Sequence, residues 1–425
     1  MPAPHKRRRP RKPRKPYASF PLTPHNNGQW CKKIRGKVHF FGVWGDPQAA
    51  LDNYLRVAAD LHAGRLPQPV NLQPEGPTVK EACNCYLSHQ FQKVQNGAIR
   101  PSSFDDCRQV AESLVKLLGG SQPLADLTPI DLQRFRLHIS QHGLNGNSKG
   151  MGPHAQSRAI TITRSIFKHA YDSGLIDRPV RYGAGLEKPS AASKRRARKA
   201  AERKNGKRLF GTAEVSAMIQ AASMPLRAMI MLGINGGLGN TDCARLPIGA
   251  IDFDRAVLEF DRPKTGVERV VPLWPETLEA LRQTLSHRPK AATDEAKILV
   301  FLTARGQPWV REVVHRSADG SIKKVTPTNA VCQEFAKLMV TLGLKRKGVG
   351  FYALRHTFRT WADETRDQHA IHRIMGHAIP GMSGIYIEEI SLERLRAVVD
   401  HVRSKVFPDE PEGNEAEEEV PPSST

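Results

Sequence analysis

Tyr352-Ala353-Leu354-Arg355-His356-Thr357-Phe358 is followed in this chain by Met375-Gly376-His377 and, nine residues after that histidine, by Tyr386. An arginine, a histidine and a tyrosine in that order can break a phosphodiester by covalent attack. The phenolic oxygen displaces a bridging oxygen while the arginine and histidine bind the non-bridging ones. Arg355 brings a planar fork of donors, and His377 adds a hydrogen bond to the same oxygens. A free phenol ionises at a pKa of about 10, so Tyr386 needs help from its surroundings near neutral pH. No metal ion or other cofactor is required. His369, His372 and His377 lie close in sequence, but no carboxylate or cysteine falls in register with them, so no metal site is expected.

Groups of this kind work only where a polyanion is held, and the composition suits one. The 425 residues include 64 Lys+Arg against 42 Asp+Glu, a net charge of +22. Such an excess favours polyanions and releases counterions on binding them, so a nucleic acid is the expected partner. Cys31, Cys83, Cys85, Cys107, Cys243 and Cys332 form no C-x-x-C pair and no regular framework. Reduced thiols in a cytoplasmic, nucleoid-associated protein are therefore expected. No apolar run reaches the length of about 18 residues that spans a membrane, and no G-x-x-x-x-G-K-[ST] loop points to ATP.

The elements that position these groups divide the chain into several parts. Residues 1–16 are Arg, Lys and Pro with almost nothing to bury, and residues 407–425 are acidic; both read as disordered tails. Residues 17–68 predict a small β+α module. Its strands lie around Trp30–Ile34 and Lys37–Phe41, Gly36 and Gly42 serve as turns, and a helix runs from Pro47 to about Ala63 with Ala49, Ala50, Tyr54, Leu55 and Ala58 on one face. Lys32, Lys33, Arg35 and Lys37 suit either a sheet that enters a DNA groove or a structural cap with solvated cations. Residues 77–186 predict an all-α domain, with helical periodicity over Val79–Phe91, Cys107–Leu118, Pro129–Ile139 and Ala155–Tyr171. Residues 187–208, with Arg195, Arg196, Arg198 and Lys199, lack apolar periodicity and read as a basic linker suited to crossing a phosphate backbone.

Residues 209–406 predict a mainly α domain of α+β type. A buried helix runs through Ala228–Leu232, short strands lie at Ala250–Phe253, Ala256–Phe260 and Glu268–Leu273, and Lys264 sits at the tip of a turn. Further helices are expected at Pro275–Leu285, Asn329–Leu342, about Phe351–Glu364, Gln368–Met375 and Leu392–Val406. Lys264 in a hairpin, then A-L-R-H-T-F, M-G-H and Tyr386 resembles the catalytic domain of the tyrosine recombinases, the phage-integrase family, over about residues 208–405. The helical domain resembles that family's core-binding domain, and residues 17–68 resemble the arm-binding module of some integrases.

The resemblance implies that Tyr386 attacks the scissile phosphorus, that Arg355 and His377 bind the phosphate, and that Lys264 protonates the departing 5′-oxygen. It also implies a homo-tetramer on DNA, as found in mobile elements that integrate by recombination. Lys-Thr-Gly is equally ordinary turn chemistry, and His356 is expected to brace the domain.

Two positions depart from the family's pattern. Tyr352 stands where a histidine is usual; it still donates a hydrogen bond but is a poor base. Gly239, in Gly237-Leu238-Gly239-Asn240-Thr241-Asp242, stands where the first arginine belongs. Arg245 is a poor substitute, because six residues along a continuous helix rotate it by about 240°. Arg359 shares a face with Arg355 but has Asp363 as a simpler partner. Three functions remain open: a recombinase, a DNA-binding protein of recombinase descent that does not cut, and a topoisomerase using the same covalent chemistry.

Overall fold

The computed structural model describes residues 12–65, 76–146, 149–263, 266–378 and 389–408. The chain divides into two compact units, residues 1–75 and 76–425.

In the first unit β1 (Thr23–Pro24), β2 (Gln29–Ile34) and β3 (Lys37–Val43) form an antiparallel sheet in that order, followed by α1 (Pro47–Ala63). Asp46 caps α1 by accepting from Ala49 N at 2.9 Å, and Gly64 ends it at φ 77°. Gly36 is the expected turn, but Gly42 is a strand residue paired with Trp30 beside a bulge. A Cβ on Gly42 would lie 3.1 Å from that of Ala50, so glycine lets helix and strand approach closely. The buried face of α1 keeps Ala50 and Tyr54 of the expected set, with Ala58 partly buried on the same core, and adds Leu51, while Ala49 and Leu55 face solvent. Ala50 makes the close approach to Gly42, and Tyr54, four residues on, shares its face.

In the second unit α2 (Val79–Gln95), α3 (Pro101–Leu118), α4 (Pro129–His142) and α5 (Pro153–Asp172) form a helical bundle. Thr78 with Glu81, and Thr128 with Asp131, close reciprocal capping boxes at the starts of α2 and α4. Its core includes Leu114, Leu132, Phe135, Ile139, Ile160, Ile166 and Phe167.

The basic stretch expected as a linker is instead a helix, α6 (Ala191–Asn205), capped by Ser190 and ended by Gly206, with no buried residue. Alanine, arginine and lysine are among the best helix formers, so propensity builds α6 where apolar periodicity is missing.

The remaining residues surround α8 (Leu226–Asn235), whose side chains are buried except for Arg227. Asn235 is fully buried: its Nδ2 donates to Pro272 O at 2.9 Å and its Oδ1 accepts from Trp274 N at 3.0 Å. This pair ties α8 to the end of an antiparallel sheet made of β4 (Ile251–Asp252), β5 (Val257–Glu259) and β6 (Val270–Pro272). Around this core lie α7 (Thr212–Ala221), α9 (Asn240–Ala244), α10 (Pro275–Ser286), α11 (Asp294–Lys297), α12 (Ala330–Thr341), α13 (Tyr352–Ala362), α14 (Gln368–Met375) and α15 (Leu392–Val406). The apolar stripe of α15 packs on its own domain, where Trp274 Nε1 donates to Val399 O at 3.0 Å.

A hairpin with no counterpart among the sequence expectations, β7 (Val310–Arg316) and β8 (Ile322–Asn329), reaches back to the bundle. Its Ile322 and Val325 pack with Phe104, and Glu312 accepts from Ser102 N at 3.1 Å and from Ser102 Oγ at 2.7 Å.

Candidate phosphoryl-transfer site

Arg355 lies on the first turns of α13 and is 3 % exposed. Its Nη1 donates to Gly237 O at 2.5 Å and its Nη2 to Met375 O at 2.9 Å. Both carbonyls depend on glycine. Gly237 has φ 64°, and a Cβ there would meet Phe358 at 2.9 Å; Gly376 ends α14 in the left-handed region at φ 60°. The turn at Gly376 delivers His377 to the guanidinium, 2.6 Å from Nη2.

Arginine has no acceptor, so His377 Nε2 must accept this bond, and the proton of the neutral ring is on Nδ1. Burial first, and then the charges of Arg355, Arg262, His372 and Arg269, push the His377 pKa down to about 4. The imidazole is therefore neutral at pH 7 and keeps one N–H for an incoming oxygen. Burial, with Arg269 and Arg262 nearby, also brings Arg355 down to about 10. It stays cationic at neutral pH with no carboxylate among its hydrogen-bond partners in the described residues.

Residues 202–391 match the phage integrase family. This chain carries a tyrosine recombinase domain of that family. No curated protein sequence matches it. Among solved structures it resembles a lambda integrase dimer bound to a COC′ core site, at 16 % identity and a TM-score of 0.50, over 89 % of this chain and 99 % of that one. That likeness shows a shared fold. A lambda integrase tetramer bound to a Holliday junction aligns at 16 % identity and a TM-score of 0.49, over 88 % of this chain and 99 % of that one. The Tn1549 transposon integrase with a circular intermediate DNA aligns at 17 % and 0.49, over 75 % and 98 %.

In the integrase domain, Lys264 and Tyr386 lie outside the described residues. The arms of the Lys264 turn are described: Arg262 N donates to Val267 O, and Gly266 N to Arg262 O, each at 2.9 Å. Tyr352, 45 % exposed, sets its ring edge-on to His356 with centroids 5.4 Å apart. His356 is exposed. Its pKa is lowered first by partial burial and then by the charges of Arg198 and Arg208.

At the Gly239 corner, Gly239 is the N-cap of α9 and Arg245 its C-cap, so the helix between them is unbroken, as expected. Asp242 is buried and accepts from Gly239 N at 2.9 Å and from Arg269 Nη2 at 3.1 Å. Arg269 has no exposed surface. A Cβ on Gly239 would lie 3.4 Å from both Asp242 Oδ2 and the Tyr352 ring. Arg359 donates to Asp363 and Gln368, each at 2.6 Å, which leaves it engaged as expected.

A cleft of ≈ 810 Å³ opens from this corner, lined by Arg100 and Arg158 of the bundle and by Gly239, Arg245, Arg262 and Tyr352. Sequence reasoning missed Arg262 and Arg269. A signal for them is present: both flank Lys264 on arms of the same hairpin.

The DNA-binding candidates separate by environment. Arg195, Arg196, Arg198 and Lys199 are all exposed on α6. In the first unit Lys32 is occupied, its Nζ 2.7 Å from Tyr54 Oη and 4.5 Å above that ring. Arg35, at φ 48°, places its guanidinium against Gly64. Lys33 and Lys37 are exposed, and Lys33 pairs with the exposed Val38.

Proposed function

We propose that the protein is a site-specific DNA recombinase or integrase that cuts and rejoins double-stranded DNA through a 3′-phosphotyrosine on Tyr386. The observation that carries this reading is the Arg355–His377 pair, a buried cation held by neutral carbonyls beside a neutral imidazole. A buried charge without a counterion is costly, and a phosphate oxygen offsets that cost.

In the forward step the Tyr386 Oη–P bond forms and the P–O5′ bond breaks. The phenolic proton leaves to solvent, and the Lys264 ammonium gives a proton to the 5′-oxygen. Rejoining reverses each transfer, so the ester energy is conserved and ATP is not consumed. The exposed cations of α6 cross the phosphate backbone, and the first unit contacts a second DNA segment. A homo-tetramer brings two duplexes together.

The test is a library of nicked duplexes of randomised sequence, in which cleavage releases a short end that cannot religate. A denaturation-resistant protein–DNA adduct that disappears in Tyr386→Phe supports the reading. The Gly239 corner favours one rival, a recombinase relative that binds without cutting. Sequence-selective binding with no adduct supports that rival.

A further inference from the structure

We propose that Arg262 supplies the cation that Gly239 lacks, contacting the scissile phosphate from the Lys264 hairpin opposite Arg355 and His377. This inference rests on the recombinase reading.

Besides Arg100 and Arg158 of the bundle, three arginines of the integrase domain lie near the Gly239 corner. Arg245 is exposed and lines the outer cleft; partial burial and then Arg100 lower its pKa, with Glu312 opposing them. Arg269 is buried and ion-paired with Asp242, which neutralises it and keeps it from an incoming anion. Arg262 alone of the three lines the cleft with Gly239 and Tyr352 and also packs on the turn that carries His377. A Cβ on Gly376 would lie 3.0 Å from Arg262 Cβ and 3.4 Å from its Cδ.

Its chemistry suits the same role. Arg262 Nε is buried with no hydrogen-bond partner among the described residues, and Arg262 forms no ion pair among them. Its charge is one of those that lower both His377 and Arg355, as a cation near the same pocket must. A phosphate at that point gives Arg262 the partner it lacks and relieves its repulsion with Arg355. Because the hairpin also carries Lys264, one element then brings a phosphate-binding group and the proton donor for the leaving oxygen.

The experiment compares the full-length parent with Arg262→Gln, Arg262→Lys and Arg262→Gln/Gly239→Arg. Each is tested on a captured nicked duplex and on the same duplex with a methylphosphonate at the scissile position. Removing a cation from a transferring phosphoryl group costs about 10³ to 10⁵ in rate, so Arg262→Gln is expected to lose that much single-turnover cleavage. Gly239→Arg in that background is expected to regain at least about tenfold, with Arg262→Lys in between. On the methylphosphonate, which has no charge to neutralise, the deficit is expected to shrink to about tenfold or less.

Cleavage by Arg262→Gln at the parental rate overturns the inference, as does a deficit undiminished on the methylphosphonate. A binding arm stands apart from cutting: the parent is expected to bind the phosphate duplex more tightly than the methylphosphonate, and Arg262→Gln to discriminate between them several-fold less, since Arg355 and His377 still face that phosphate. If the parent forms no adduct, the recombinase reading fails, while this arm still decides whether Arg262 touches that phosphate. Equal discrimination by parent and variant overturns the proposed contact.

Discussion

Arg355 and Arg269 are both stripped of water, yet different partners replace it. Around Arg355 stand two backbone carbonyls and a neutral imidazole; against Arg269 stands the Asp242 carboxylate. Dipoles satisfy a guanidinium's hydrogen bonds and leave its charge in place, whereas a carboxylate cancels it. The first arginine is thus set to receive an anion, and the second holds α9 to the hairpin. Burial alone does not mark a catalytic cation; the charge of what surrounds it does.

Arg355→Ala tests this contrast most severely. Single-turnover cleavage is expected to fall by about 10³ to 10⁵, and Arg355→Lys to recover little, because a point charge cannot span the Gly237 and Met375 carbonyls and a phosphate. Retained cleavage in either variant erases the difference between the two arginines.

The Arg269 side breaks through stability. Asp242→Asn leaves a buried guanidinium without its counterion, and removing one member of such a pair costs about 3–5 kcal/mol. Urea unfolding is expected to show that loss, and a change below about 1 kcal/mol contradicts the structural role assigned to the pair.

Much of the Arg355 corner is legible in the sequence, and the Gly239 corner is not. Arg355 and His377 sit on α13 and at the end of α14, where short-range spacing fixes their places. Arg262 and Arg269 reach the pocket through a hairpin far from it in sequence, and no period relates them to Arg355. Caps and apolar periodicity make α1 and α2 to α5 readable. They do not reveal α6, because its helix rests on propensity with no apolar face. β7 and β8 alternate weakly, and Ile322 and Val325 of β8 are buried against Phe104 of the bundle, a long-range contact that local pattern does not show.

α6 offers a further contrast, since its cations meet solvent rather than a built pocket. Replacing Arg195, Arg196, Arg198 and Lys199 with Ala is expected to flatten the salt dependence of DNA binding by about 0.9 in log–log slope for each phosphate no longer neutralised. An unchanged slope, measured by fluorescence anisotropy over a salt series, removes α6 from the interface.

The smallest effect concerns His377. Its folded pKa, about 4, lies below the ordinary value of 6.5, so the unfolded chain binds more protons between those limits. Stability from this group is present above pH 6.5 and lost as pH falls toward 4. His377→Asn is expected to flatten the stability–pH curve in that window, and an unaltered curve contradicts the neutral imidazole.

Covalent use of Tyr386 beside the Arg355–His377 pair is tested by protease digestion of the captured adduct followed by mass spectrometry. The expected product is a peptide containing Tyr386 that carries a nucleotide through its 3′-phosphate, with a free 5′-hydroxyl on the released strand. A nucleotide on any other residue, or linkage through a 5′-phosphate, contradicts it.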